Sequence, residues 1–208
     1  MIRGYLCSAM LFAAIALPVA SRADPPSELA TNFCYGCQQL GLSVSGGFGL
    51  PIFGSQRREV DRTRIFGVYP RWSIGLTDPV ARGAFYEGNF EAGIEPLVLL
   101  NFNPRDGWAA GGALVLHYNF LAASDSIVPF VEGVAGGSYM KFRLNDQSDG
   151  FTYPLEFSIG VHALTSEHTA FTTSVGYYHL SNAGRHYPNL GINGINVKIG
   201  FTAFRDVF

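Results

Sequence analysis

The feature that most limits what this chain can fold into is an alternation of apolar and polar residues that returns in window after window from Leu40 to Phe204. A period of two places successive side chains on opposite faces, which is the geometry of a strand and not of a helix. Leu40, Leu42, Val44 and Phe48 alternate with Gly41, Ser43 and Ser45 until Pro51, Gly54 and the charged run Gln56 to Arg64 break the pattern. Phe66, Val68, Trp72 and Ile74 then oppose Gly67, Tyr69, Arg71 and Ser73 as far as Thr77-Asp78-Pro79. Phe90, Ala92, Ile94 and Val98 oppose Asn89, Glu91, Gly93 and Glu95 as far as the turn Asn103 to Gly107. In a fourth window, Trp108 to Phe120, Ala110, Leu114, Leu116, Tyr118 and Phe120 face away from His117 and Asn119.

A fifth window, about Ile127 to Met140, has ambiguous parity and ends in the polar loop Leu144 to Gly150. The sixth is the clearest: Phe151, Tyr153, Leu155, Phe157, Ile159, Val161 and Ala163 alternate with Thr152, Glu156, Ser158 and His162. The seventh runs from Ala170 to Ser181, and the eighth, Gly194 to Phe204, sets Ile195, Val197, Ile199, Phe201 and Ala203 against Asn196, Lys198 and Thr202. Eight strands and no helix are expected.

These windows run to about a dozen residues, nearer the roughly 9–11 of a tilted membrane strand than the roughly 5–6 of globular sheets. Only 14% of the residues are charged, against about 25% in soluble domains, so a water-facing surface would be poorly covered. The polar faces carry small and charged groups suited to a narrow lumen, and the apolar faces carry aromatics near their ends. The pattern therefore predicts an all-β fold, an eight-stranded antiparallel transmembrane β-barrel. A soluble sandwich or barrel, whose core face also alternates with a wet face, is the competing architecture. The even strand count and the terminal Phe208 agree with the membrane reading. A net charge of -2, with no basic cluster larger than Arg57-Arg58, argues against a nucleic-acid partner.

Residues 1–23 read as a cleaved signal peptide: Arg3 is the basic region, Tyr5 to Val19 the apolar region, and Ser21-Arg22-Ala23 the small-residue cleavage site. An uncleaved anchor helix is the weaker alternative, because the apolar run is short and contains Pro18. Residues 24–208 then form one barrel domain in the bacterial outer membrane. Cys34 and Cys37, in CYGC, are expected to close a local disulfide in that oxidising compartment. Haem attachment would need a histidine where Gln38 stands, and two cysteines alone do not complete a zinc site.

Such barrels keep both termini and their short turns in the periplasm. Strand seven then runs outward, and the loop Asn182 to Leu190 lies outside the cell. Side chains fill an eight-stranded lumen, so chemistry belongs on the outer wall or rim. His117 and His162 are expected as hydrogen-bonded lumen filling, with Glu91, Glu95, Arg71, Glu132 and Lys198 pairing around them. Phe171, Thr173, Val175, Tyr177, His179 and Ser181 share the lipid-facing side of strand seven. Asn193 shares the outward side of strand eight with Ile195 and Val197. A histidine base beside a serine nucleophile is suited to cleaving esters, and the esters at this boundary are the acyl links of lipopolysaccharide. Asn182, Asn189 and the amides near Gly184 are candidate donors to a tetrahedral oxyanion.

The run HLSNAGRHYPNLGIN resembles the signature of the lipid A 3-O-deacylase family (PagL), with His179, Ser181, Asn182, Ala183, Gly184, Asn189 and Gly191 matching. The resemblance implies that Ser181 attacks the ester at the glucosamine 3 position, that His179 is general base and acid, and that the asparagines help hold the oxyanion. It implies no metal or organic cofactor, and lipid A in the outer leaflet as the partner. A homodimer is a further expectation. One position departs: Asn193 stands where the family pattern has the glutamate that orients the imidazole. An amide oxygen fixes the tautomer and supplies no charge, which predicts slower hydrolysis, another charge partner or a related acyl ester. A non-enzymatic barrel that stabilises the membrane or binds a surface partner is the alternative that this departure favours.

Overall fold

A computed structural model describes residues 31–51 and 58–205. The expected signal peptide and Phe208 lie outside them. Eight antiparallel strands follow in order: β1 (Gln38–Gly49), β2 (Arg64–Gly75), β3 (Gly88–Asn103), β4 (Gly107–Phe120), β5 (Ile127–Lys141), β6 (Gly150–Ser166), β7 (Thr169–Ser181) and β8 (Ile192–Arg205). Each pairs with the next, and β1 pairs with β8, so the sheet closes. Closure removes both edges of the sheet. Among the described elements the one helical piece is a 3-10 turn, Val60–Arg62.

The alternation is realised as an apolar exterior and a polar interior. Leu114 is 69% exposed, Phe201 64% and Phe157 60%, whereas Glu91, Glu95 and Glu132 are each 2% exposed. That inversion would be untenable in water and is what hydrocarbon demands. The ambiguous fifth window resolves with Val128, Phe130, Glu132, Val134, Ser138 and Met140 inward. Its two consecutive glycines, Gly136 and Gly137, had blurred the parity.

The lumen is held by charge. Arg71 bonds Glu95 and, at 2.5 Å, Glu132. Lys198 lies 3.2 Å from Glu95 and 3.1 Å from Glu156, with its ammonium 4.3 Å from the Tyr69 ring centre. Glu91 departs from the expected ion pairing and instead accepts from Gln39 at 2.5 Å and Asn119 at 3.3 Å. His162 shares a 2.8 Å hydrogen bond with Thr172. His117 differs from expectation: its Nδ1 is 3.3 Å from Glu132, in ion-pair range, but makes no hydrogen bond among the described residues. Stacking on His162 at 5.5 Å holds the ring instead.

At the end carrying the termini, Phe33 is fully buried against Phe204, their rings 5.2 Å apart, and stoppers the lumen. The Cys34–Cys37 disulfide closes the turn behind it, with Cα atoms 5.2 Å apart. Four loops gather at the opposite end, connecting β1–β2, β3–β4, β5–β6 and β7–β8. Glu59 and Asp146 tie all four together. Asp146 accepts from the backbone N–H of Glu59 at 2.7 Å and of Val60 at 3.2 Å, and its own carbonyl accepts from Leu190 N–H at 3.1 Å. Glu59 accepts from Asn145 N–H at 2.6 Å and from Arg105 at 3.1 Å.

Candidate active site

The register of β7 on β8 sets His179 directly opposite Asn193. Both side chains point outward, and Asn193 Oδ1 lies 2.7 Å from His179 Nδ1. With the amide oxygen facing the ring, Nδ1 carries the proton and donates it, so the Nε2 lone pair is left to accept. Tyr177, one pleat back on β7, donates its hydroxyl to the same Oδ1 at 2.6 Å. Two donors thus fix the amide. Asn193 is 7% exposed, and its own carbonyl accepts from Leu50 N–H at 2.7 Å.

Gly191 packs against the Cε1 edge of the imidazole. Its φ is +72°, and a Cβ there would sit 2.7 Å from His179 Cε1. Both the left-handed backbone and the close approach require glycine. Its N–H donates to the fully buried Gln147 at 2.9 Å.

Ser181 ends β7 on the same outward face and pairs across the sheet with Tyr153. Its hydroxyl makes no hydrogen bond among the described residues; catalytic bonds commonly tighten only when substrate is bound.

The three expected oxyanion groups build the loop. Asn182 is 1% exposed; its Nδ2 donates to His186 O and Ser148 Oγ, each at 2.8 Å, and its Oδ1 accepts from Gly184 N–H at 2.9 Å. Asn182 N–H donates to Asn189 Oδ1 at 3.1 Å. Ala183 and Gly184 have φ of 54° and 78°, a left-handed pair that asparagine's local bonding stabilises. The backbone N–H groups of Asn182, Gly184 and Arg185 are therefore occupied, and among the expected donors Asn189 Nδ2 and the Ala183 N–H make no hydrogen bond among the described residues.

Two contributions escaped the sequence reading. Tyr177 reads from sequence as one more member of the apolar stripe, although its place two residues before His179 puts it on the same face. Asp146, Gln147 and Ser148 read from sequence as a polar loop, and no local signal marks a partner 34–87 residues away.

An apolar groove runs along the outer wall and ends at the imidazole, lined by Leu114, Leu116, Ala135, Leu155, Tyr177 and His179. The registers explain it. Ala135 faces Leu114 on one side and Leu155 on the other, and Leu155 faces His179, so small residues form a floor between larger walls.

Comparison with known proteins bears on the family and the fold. Residues 60–202 match the family model described as Lipid A 3-O-deacylase (PagL). The crystal structure of the outer membrane enzyme PagL is similar at a TM-score of 0.56 and 18% identity, covering 78% of this chain and 97% of that one. The crystal structure of Neisserial surface protein A (NspA) is similar at 0.50 and 12%, covering 82% and 97%. At these identities the likeness is one of fold, the closed eight-stranded barrel. No curated protein matches the chain. Neither kind of match supports the expected homodimer. With the family model spanning β2 to β8, this chain belongs to the lipid A 3-O-deacylase (PagL) family.

Proposed function

We propose that the protein is a serine esterase that removes the 3-O-linked acyl chain from lipid A, working on the outer wall of the barrel. It is a bacterial outer-membrane protein of a hydrolase family. Ser181 Oγ attacks the ester carbonyl as its proton passes to His179 Nε2. The tetrahedral intermediate collapses, the sugar 3-alcohol leaves with that proton, and water then frees the acyl chain from Ser181. Asn193 and Tyr177 hold the imidazole in the accepting tautomer. Asn189 Nδ2 serves the oxyanion, while Asn182 and Gly184 shape the loop that presents it. The groove ending at His179 suits an acyl chain, because its walls are apolar and it opens to the lipid.

The observation that carries this reading is the His179–Asn193 hydrogen bond, made on the lipid-facing side one pleat from Ser181. Surface strands have no packing reason to orient an imidazole at a lipid boundary. Release of fatty acid from a 3-O-acylated glucosamine lipid by the purified protein in detergent micelles tests it: Ser181→Ala and His179→Ala should each abolish release. A wild-type protein that releases nothing leaves the structural-barrel reading, which the neutral Asn193 favours.

A further inference from the structure

Arg185 is the one cation that the β7–β8 loop holds in a defined place beside Ser181. The left-handed pair Ala183-Gly184 reverses the chain, and Arg185 N–H donates to Asn182 O at 3.2 Å. The side chain is thereby laid back over β6, with Cζ 5.1 Å from the ring centre of Tyr153 and 5.7 Å from that of Phe151. Those two rings meet edge to face, 5.1 Å apart. Tyr153 is the cross-strand neighbour of Ser181.

A guanidinium steadied by aromatic faces keeps its in-plane donors free. Arg185 makes no side-chain hydrogen bond or ion pair among the described residues. The carboxylates of the β5–β6 loop are committed elsewhere: Asp149 accepts from Arg143 N–H at 2.8 Å, and Asp146 holds the β1–β2 loop. The same rim continues through Tyr139, which pairs with Phe151, to the exposed Lys141 at the end of β5. Arg185 thus borders the nucleophile on the β6 side without a neutralising partner among the described residues, and Lys141 lies farther along the same rim.

We infer that Arg185 is the anion-recognition residue of this site and binds a phosphate monoester on the sugar whose acyl ester is presented to Ser181. The inference rests on the proposed esterase reading, which supplies the sugar and its ester. A guanidinium matches two phosphate oxygens at once, so it fixes the orientation of the ring as well as its presence. A sugar held there turns one face of its ester linkages toward β7. Arg185 acts by positioning and does not touch the reacting carbonyl.

The test compares a diacylated glucosamine 1-phosphate with the same diacylglucosamine lacking phosphate, in identical neutral detergent micelles. Wild type should favour the phosphorylated lipid in kcat/KM by on the order of tenfold, the strength of a charge-assisted hydrogen bond. Arg185→Ala should bring the ratio near one by slowing the phosphorylated lipid alone, mainly through KM, and Arg185→Lys should restore part of it. An unchanged ratio, or equal slowing of both lipids, overturns the assignment. Excess phosphatidylglycerol, a phosphodiester, should leave the preference standing; if it erases the preference, Arg185 reads the membrane surface and the assignment to substrate fails. Calorimetric binding of the two lipids to Ser181→Ala protein gives the same comparison without turnover. A wild type that hydrolyses neither lipid ends the esterase reading, while loss of the binding preference on adding Arg185→Ala still tests the arginine.

Discussion

Asn193 Oδ1 receives hydrogen bonds from both His179 Nδ1, at 2.7 Å, and Tyr177 Oη, at 2.6 Å. A carboxylate in that place would orient the imidazole and stabilise its protonated form; the amide does only the first. The tyrosine adds a second constraint on the amide and no charge.

Asn193→Glu should therefore raise kcat by about tenfold, since one pKa unit of imidazolium stabilisation is about 1.4 kcal/mol. A carboxylate makes the imidazole harder to deprotonate, so the acid limb of the kcat/KM profile should move to higher pH. A pH series on the purified variant checks both, and an unshifted acid limb would mean that residue 193 does not face the catalytic base.

Gly191→Ala should cost at least about a hundredfold in kcat, the scale of a displaced general base, because the new methyl meets His179 Cε1 at 2.7 Å. The barrel should still form, since Gly191 lies outside the strands. Activity measured beside the electrophoretic shift between folded and heat-unfolded barrel separates the two effects.

Removing Arg71 leaves Glu132 buried without its cation and Glu95 with Lys198 alone. Arg71→Met should destabilise the barrel by about 3–5 kcal/mol, with Arg71→Lys retaining part of that. Urea unfolding in lipid vesicles gives the difference.

The Asn145 backbone N–H holds the Glu59 carboxyl below its usual pKa, with help from Arg105. Its contribution is thus complete above the ordinary carboxylate range and is lost as pH falls through the lowered value. Limited proteolysis should cut the β1–β2 and β5–β6 loops faster below that range. Glu59→Gln should remove the pH step there.

The sequence was most informative where physics is local and periodic. Leu40 to Phe48 and Phe151 to Ala163 declare their outward faces because lipid tolerates only one side of each strand. His179, Ser181 and Asn193 could be set on one surface by parity alone. What parity cannot show is contact between loops. Gln147 reaches Gly191 across 44 residues and Asp146 reaches Glu59 across 87, through backbone bonds that any polar loop could make. For the same reason Asn182 reads as an oxyanion donor in a motif, and proves to be bonded on all sides, to its own loop and across to Ser148.

The central claim is that Ser181 and His179 hydrolyse an acyl ester of lipid A, and mass spectrometry of lipid A from cells expressing the wild type, Ser181→Ala and His179→Ala tests it most directly. The wild type should yield lipid A lighter by one hydroxyacyl chain, and both variants should leave it intact while reaching the outer membrane at wild-type levels. Identical profiles from all three would contradict the account.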